Sequence, residues 1–212
     1  MTQAQTQTQA ELKLYTFDEF IEWYPENSTR KYELHNGVII EVPPPAGDHT
    51  DIISFLIEVI LAVLKLSGLP YRVSASVFVK TPNAKSAYLP DMLVVNRDNL
   101  KNEPLWKKQS TLIYPESVPM VIEIVSTNWQ DDYYDKIRDY ETMGIPEYWI
   151  VDYAALGGRK FIGNPKVPTI FVCELVDGEY VMTPFRASDL IVSPTFPQLN
   201  LTAQQIFDSA QV

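Results

Sequence analysis

An acid inside a strand-like run is the first residue of this chain whose surroundings suggest chemistry. Glu123 lies within residues 121–125, which are otherwise Val and Ile and are typical of a strand buried on both faces. Burying an unpaired carboxylate costs on the order of several kcal/mol, so a buried Glu123 requires a metal ion or a cationic partner. The alternative is an amphipathic strand that turns Glu123 towards solvent.

A second acid occupies a comparable position. Asp91 follows Pro90 and begins the apolar run 92–95, and considered alone it is typical of a turn or a strand start. If the two strands are neighbours, Asp91 and Glu123 can hold one divalent cation, with the backbone carbonyl of Ile124 as a further oxygen ligand. Such a cation lowers the pKa of a bound water molecule and offsets the charge of a phosphate.

Helical periodicity gives Lys136 an unusual position. At about 100° per residue, the predicted helix 129–143 has an apolar stripe with Lys136 at its centre. Because a lysine is rarely buried without a partner, we expect its ammonium group to reach Asp91, Glu123 and a substrate phosphate. The alternative is that the side chain extends to the edge of the helix. The stripe consists of Trp129, Tyr133, Lys136, Tyr140 and Met143, and the charged residues predicted to lie outside it are Asp131, Asp135, Arg138, Asp139 and Glu141.

Two upstream residues are second-rank candidates for the same site. Glu33 interrupts an apolar hairpin strand, and His49 lies near the start of a long predicted helix, where the helix N-terminus favours anions. Isolated polar residues of this kind are commonly surface groups, so each also has a purely structural interpretation.

The elements that must position these residues form an α/β or α+β arrangement, a mixed β-sheet flanked by helices with additional β-hairpins. A capping box at Thr16–Glu19 predicts a short opening helix, and the pairs Asn36-Gly37 and Asp177-Gly178 predict the hairpin turns. The predicted strands are 31–34, 38–42, 71–80, 91–96, 118–125, 147–152, 169–176 and 179–183, and the further helices are 48–67, 129–143 and 203–209.

Composition limits the kinds of site that the chain can build. With Cys173 as its one cysteine and only two histidines, His35 and His49, it has no thiol cluster for zinc or iron–sulfur. A metal site built mainly from carboxylates favours Mg²⁺ or Mn²⁺. The net charge of −10 argues against a wholly basic protein that coats nucleic acid, but not against a local basic groove.

Organisation along the chain is predicted to be simple. Residues 1–12, rich in Gln and Thr, are predicted to be a disordered tail, and residues 13–212 a single domain. The N-terminus lacks the pattern of a secretory signal, and the longest apolar segment is too short to span a bilayer, so we expect a cytoplasmic protein without membrane contact.

Two clusters of basic residues could contact phosphates, although a solvated loop is an equally good interpretation of each. The first lies around Trp106, which is available for stacking on a base. The second occupies a stretch free of acids. The clusters are Arg97, Lys101, Lys107 and Lys108, and Arg159, Lys160 and Lys166.

The order of several short motifs resembles that of a known family. These motifs are Pro90-Asp91, Glu123-Ile124-Val125-Ser126, Asp135-Lys136 followed by Tyr140, and Gly144-Ile145-Pro146-Glu147-Tyr148-Trp149-Ile150-Val151-Asp152, with Tyr32-Glu33-Leu34 and Asn36-Gly37 upstream. From about Thr16 to Ser193, the chain resembles the bacterial putative restriction endonuclease family of the PD-(D/E)XK nuclease superfamily.

That resemblance implies a restriction-endonuclease-like fold and an Mg²⁺-dependent (or Mn²⁺-dependent) phosphodiesterase acting on DNA. In it, Asp91 and Glu123 hold the metal, and a lysine orients or activates the attacking water and stabilises the charge of the transition state. Val125 stands where the simplest E-x-K motif of the superfamily has its lysine. In a variation on this motif, the lysine is displaced onto the following helix, and Lys136 lies at such a position. A homodimer is a further expectation, since such nucleases often cut two strands.

Three interpretations of function therefore stay open. The first is a metal-dependent endonuclease that hydrolyses DNA with Asp91, Glu123 and Lys136, assisted by Glu33 and His49. The second is a catalytically inactive module on a nuclease-like fold that binds nucleic acid or another protein, an interpretation that the Val125 position and the acidic balance favour. The third is an enzyme acting on a small phosphorylated ligand.

Overall fold

A six-stranded mixed sheet forms the centre of the computed structural model, which describes residues 13–210 of the chain. The predicted disordered tail at residues 1–12 lies outside the described residues. The strands within the described part are β1 (Lys31–His35), β2 (Val38–Val42), β3 (Tyr71–Ser74), β4 (Phe78–Lys80), β5 (Ala87–Tyr88), β6 (Met92–Asn96), β7 (Thr111–Leu112), β8 (Met120–Ile124), β9 (Glu147–Asp152), β10 (Thr169–Val176) and β11 (Glu179–Phe185).

The helices cover the sheet and connect its strands. Thr16 caps the first helix through the predicted capping box with Glu19, and Gly68, in the left-handed region at φ 67°, ends the second. Within residues 13–210, no helix has the length and apolar character needed to cross a membrane. The α-helices are α1 (Phe17–Trp23), α2 (Gly47–Ser67), α3 (Trp106–Gln109), α4 (Ile137–Met143), α5 (Arg159–Ile162) and α6 (Ala203–Asp208).

The central sheet has the strand order β11-β10-β9-β8-β6-β3. Strands β8 and β9 run parallel, joined by the crossover that contains α4, and the other neighbours are antiparallel. Both faces of β8 and β9 are buried, which explains their continuous apolar sequences. The sheet is therefore mixed, flanked by helices and extended by hairpins, as predicted.

Side chains alternate between two cores on either face of this sheet. Along β8, Ile122 and Ile124 belong to the core that α2 and α6 cover, whereas Val121 and Val125 belong to the core beneath the helical segment 131–143. Glu123 shares the parity of Val121 and Val125, so its carboxylate points towards that segment.

A second sheet, of five short strands in the order β2-β1-β5-β4-β7, was not predicted. Residues 71–80 were expected to form one strand, but they divide into β3 and β4, which belong to different sheets. Ser76 adopts φ 59° between them, a left-handed conformation that ends the extended backbone.

The helix predicted at 129–143 begins later and is irregular. Its first part, Asp131–Lys136, is a π-helical segment, and α4 continues from it to the stop signal at Gly144. π-helical turns are often found at functional sites, and this one carries two of the charged groups described below.

Candidate active site

Asp91 and Glu123 meet where β8 ends and β6 begins. Met92 pairs with Ile122 in the antiparallel ladder, so continuing that register by one residue places Asp91 beside Glu123 on the same face. The backbone N–H of Ile124 donates a hydrogen bond to Asp91 Oδ2 at 2.8 Å. The side chain of Asp91 is 26% exposed to solvent, whereas that of Glu123 is 3% exposed. Asp91 is therefore the more accessible carboxylate of the pair.

Lys136 reaches the site from the π-helical segment. Its Nζ atom lies 3.0 Å from Glu123 Oε2 and 3.1 Å from Asp132 Oδ1, and its side chain is 10% exposed. The lysine is therefore buried between two carboxylates and does not extend to solvent. Asp91 is not among its ion-pair partners within the described residues, so one of the contacts expected from the sequence is not direct.

Tyr140 holds the other oxygen of Glu123. Its hydroxyl donates to Glu123 Oε1 at 2.9 Å, while Lys136 occupies Oε2. An ionised carboxylate has about four lone-pair sites, so both oxygens of Glu123 can accept a further ligand.

Glu33 enters the cluster from β1. Its Oε1 accepts a hydrogen bond from the backbone N–H of Leu89, and its Oε2 lies 2.7 Å from His35 Nε2. Although burial alone raises the pKa of Glu33, the positive charge of Lys136 and the bonds from His35 and Leu89 outweigh it and lower the pKa overall. Glu33 is thus a buried, charged member of the site and not a surface residue.

His49 lies in the first turn of α2 and faces Asp91. Its Nε2 atom is 3.2 Å from Asp91 Oδ2, whereas its Nδ1 atom is buried without a hydrogen-bond partner. Burial lowers the pKa of the imidazole, but the bond to Asp91 and the nearby Ile124 carbonyl raise it overall. A buried ring nitrogen without a hydrogen-bond partner is uncommon in folded proteins.

Asp132 is a member of the site that the sequence analysis missed. It is buried, and burial and the neighbouring carboxylates Asp91 and Asp131 raise its pKa to about 6 in spite of the attraction of Lys136. The spacing of four residues to Lys136 was an available signal, because residues at i and i+4 share one face of a helix.

Asp139 was predicted to lie outside the apolar stripe of the helix, but its side chain is buried. It is 4% exposed, and it accepts hydrogen bonds from the Tyr88 hydroxyl at 2.7 Å and from the Arg138 guanidinium. These two hydrogen-bond donors compensate for the burial of the carboxylate. The spacing of apolar residues along the helix carries no information about such donors. Asp139 contacts none of the predicted site residues within the described part of the chain.

The cluster has an excess of negative charge. Four carboxylates surround the single ammonium group of Lys136. Burial raises the pKa of Glu123 well above its usual value, and repulsion from the other acids adds to this effect against the attraction of Lys136. For Lys136, burial lowers the pKa, but the four carboxylates dominate and raise it well above its usual value. The four acids are Glu33, Asp91, Glu123 and Asp132.

This donor set fits a hard divalent cation better than a soft one. Asp91, Glu123 and the Ile124 carbonyl would supply oxygen ligands, and an added cation would offset the excess negative charge. Within residues 13–210, no three His, Cys, Asp or Glu side chains form a ready-made metal cage. A site with two carboxylates agrees with the coordination preference of Mg²⁺, which usually keeps several water ligands and binds substrate phosphate directly.

Comparisons with known proteins agree with this architecture. The family Uma2, described as putative restriction endonuclease, matches residues 17–204. The crystal structure of a putative nuclease belonging to DUF820, from Anabaena variabilis, is similar with a TM-score of 0.70 and 23% identity, covering 92% of this chain and 98% of that one. No curated protein matches the chain. The predicted fold class and the family resemblance are confirmed.

Proposed function

Because the chain belongs to the Uma2 family of putative restriction endonucleases, we propose that it is a metal-dependent endonuclease that hydrolyses phosphodiester bonds in DNA. The family and the structural match support nuclease function in general. The metal requirement, the DNA substrate and the residues of the site are the proposal.

One observation carries this proposal: Lys136 lies beside Glu123, whereas the position two residues after Glu123, where an E-x-K motif has its lysine, is Val125. Val125 directly follows β8 and lies two residues after Glu123, is 1% exposed and belongs to the apolar core. The ammonium group of Lys136 lies beside Glu123, although it comes from the next helix. The acids and the lysine that phosphodiester hydrolysis requires are therefore together in one site.

Each residue has a distinct part in the proposed reaction. Asp91, Glu123 and the Ile124 carbonyl would hold Mg²⁺ or Mn²⁺, which when bound offsets phosphate charge and favours deprotonation of the attacking water. Lys136, kept as an ammonium ion by the carboxylates around it, donates hydrogen bonds that orient the water and stabilise the developing charge on phosphate.

The second-rank candidates support this centre. Glu33 lies close enough to Lys136 to stabilise its positive charge. His49 lies against Asp91 through its Nε2 atom and would hold that carboxylate in position. We expect loss of either residue to slow the reaction less than loss of Asp91 or Glu123.

Cleavage of supercoiled plasmid and single-stranded DNA tests the proposal directly. The native protein should cleave DNA with Mg²⁺ or Mn²⁺ and not with chelator. Asp91→Asn, Glu123→Gln and Lys136→Met should each lower the rate by about 100-fold or more, because each removes a group that acts on the reacting phosphate.

The matched control is Glu58→Gln, which makes the same chemical change at an exposed position of α2 and should retain full activity. Cleavage that survives Lys136→Met would contradict the assignment of the displaced lysine. Absence of cleavage on every substrate would favour the inactive binding module instead. The homodimer stays a prediction.

A further inference from the structure

A cluster of aromatic rings with a lysine over them lies on the outer side of the helical segment that carries Lys136. Trp129 lies just before this segment and Tyr134 in its π-helical part, whereas Lys160 and Phe161 belong to α5. We call these four residues the stacking platform. None of them has a part in the site described above.

Sheet topology brings the platform to the same edge as the site. Strands β8 and β9 are parallel neighbours, so the segments that follow their carboxyl ends leave the sheet side by side. Glu123 lies at the end of β8, Trp129 follows shortly after it, and α5 follows β9. A DNA strand that reaches Asp91 and Glu123 at this edge passes close to the platform.

Contacts within the platform are those of a cation–π cluster. Lys160 Nζ lies 4.5 Å from the ring centroid of Tyr134 and 4.6 Å from that of Phe161. The Trp129 ring lies 6.0 Å from Tyr134 and 6.5 Å from Phe161. Tyr134 is 41% exposed, so its ring is accessible to a ligand.

Gly158 allows the two halves of the platform to approach. A Cβ atom at this position would lie 2.9 Å from the indole ring of Trp129, closer than packed atoms tolerate. The absence of a side chain at Gly158 therefore lets the start of α5 rest directly against Trp129.

The stretch of chain that contributes α5 to the platform is basic, unlike the chain as a whole. Residues 153–168 contain Arg159, Lys160 and Lys166 and no acid, although the net charge of the protein is −10. Within residues 13–210, none of the three forms a salt bridge.

Two acids of the helical segment that carries Tyr134 have local partners. Asp131 accepts a hydrogen bond from the Asn128 amide at 2.7 Å, and Asp135 pairs with Arg138 at 3.1 Å. The basic groups of α5 are therefore free to attract an anion.

We propose that the stacking platform binds an unpaired base of single-stranded DNA, while Arg159 and Lys160 contact its phosphates. Proteins bind single strands through exposed aromatic rings beside basic side chains, because every nucleobase has a face that can stack, and Tyr134 is the exposed ring of this platform. A base inside a duplex has no free face, so the platform selects single-stranded or frayed DNA. The choice of DNA as the occupant rests on the proposed nuclease function.

Fluorescence anisotropy with a labelled single strand, its duplex and an RNA of the same sequence, in chelator, measures binding without cleavage. The native protein should bind the single strand more tightly than the duplex. Tyr134→Ala should weaken binding of the single strand about tenfold, whereas Tyr134→Phe, which keeps the ring, should change it by less than about twofold. Lys160→Ala should weaken binding and reduce its dependence on salt.

Two matched controls are available in the chain. Tyr114 is also 41% exposed but lies before the other end of β8, and Lys65 is an exposed lysine 16 positions after His49 on α2, about 24 Å along the helix axis. Tyr114→Ala and Lys65→Ala should leave the binding constant unchanged.

The outcomes separate this inference from the proposed function. Equal binding by native protein and Tyr134→Ala would overturn the platform, even if the protein cleaves DNA with Mg²⁺. Tighter binding of RNA than of DNA would overturn the choice of occupant. Loss of binding in Tyr134→Ala with retention in Tyr134→Phe would support the platform, even if no cleavage occurs.

Discussion

Lys136 provides the positive charge that compensates the buried carboxylates of the site. It contacts Glu123 and Asp132 directly, and the charges of Glu33 and Asp91 act on it from further away. Breaking a buried ion pair from one side is strongly destabilising, because the remaining charge stays buried without compensation. The same lysine therefore affects stability as well as the proposed chemistry.

We expect Lys136→Met to lower the free energy of unfolding by about 3 kcal/mol, since it leaves Glu123 and Asp132 buried without a cation. Adding Glu123→Gln to the same chain should restore part of that loss, because one of the two uncompensated charges disappears. Urea unfolding in chelator measures both effects. Lys65→Met, at an exposed position, is the control, and a double variant less stable than Lys136→Met would contradict the argument.

Individual site residues differed in how far the sequence could predict them. Alternation along β8 and periodicity along the helix were enough to bring Lys136 to Glu123, since both patterns are local. His49 ranked low because the sequence shows where α2 starts but not that its first turn faces Asp91. Asp139 was misplaced because its hydrogen bond to Tyr88 joins residues 51 positions apart.

At the scale of elements, the two hairpins were predictable from their turns. Asn36-Gly37 and Asp177-Gly178 both adopt positive φ at each residue, as such turns require. The second sheet was not predictable, because the pairing of β1 with β5 and of β4 with β7 joins residues that are distant in sequence. The mixed central sheet followed from the crossover between β8 and β9.

The two turn glycines allow a matched test of backbone strain. Gly37 and Gly178 have φ values of 87° and 89°, but a Cβ atom at Gly37 would lie 3.1 Å from Leu14 Cβ, whereas Gly178 has open space. Gly178→Ala should lower the free energy of unfolding by about 1 kcal/mol through strain alone. Gly37→Ala should lower it by about 1 kcal/mol more, because of the added crowding.

Thermal and urea unfolding of the two variants give this difference directly. Equal losses would mean that Leu14 moves aside without cost. A larger loss at Gly178 would contradict the packing argument.

Glu147 connects β9 to the segment near residue 195. Its carboxylate accepts hydrogen bonds from Trp149 Nε1 at 2.6 Å, from the Ser193 hydroxyl at 3.1 Å and from the backbone N–H of Thr195 at 2.7 Å. Glu147→Gln replaces one accepting oxygen by a donor and should lower the free energy of unfolding by about 1–3 kcal/mol.

The control is Glu174→Gln, because Glu174 is opposite Glu147 on the neighbouring strand but is exposed. This substitution should change the free energy of unfolding by no more than about 0.5 kcal/mol. Urea unfolding compares the two. Similar small changes in the free energy of unfolding at both positions would contradict the claim that the buried carboxylate of Glu147 stabilises the fold.

At the scale of the whole molecule, the acidic cluster predicts that a divalent cation stabilises the fold. A ligand at 100 times its dissociation constant adds about 2.7 kcal/mol, which corresponds to a Tm increase of roughly 5–10 °C for a chain of this size. Saturating Mg²⁺ or Mn²⁺ should raise the Tm of the native protein, and chelator should reverse the increase.

Asp91→Asn should abolish most of this shift, because it removes the more open of the two carboxylates. Sodium chloride at matched ionic strength controls for screening of the net charge. An equal shift in native protein and Asp91→Asn would place the cation elsewhere. This readout is independent of DNA cleavage.

Crowding of Glu33, Asp91, Glu123 and Asp132 around one ammonium group also has an evolutionary consequence. Proteins tolerate unfavourable local electrostatics where function requires them, and relief of that repulsion is an easy route to greater heat resistance. In a random library selected only for survival at high temperature, amide replacements at Asp91 and Glu33, the two acids of the cluster that do not pair directly with Lys136, should accumulate. The survivors would be robust and inactive, so the positions enriched by heat would map the site without any substrate.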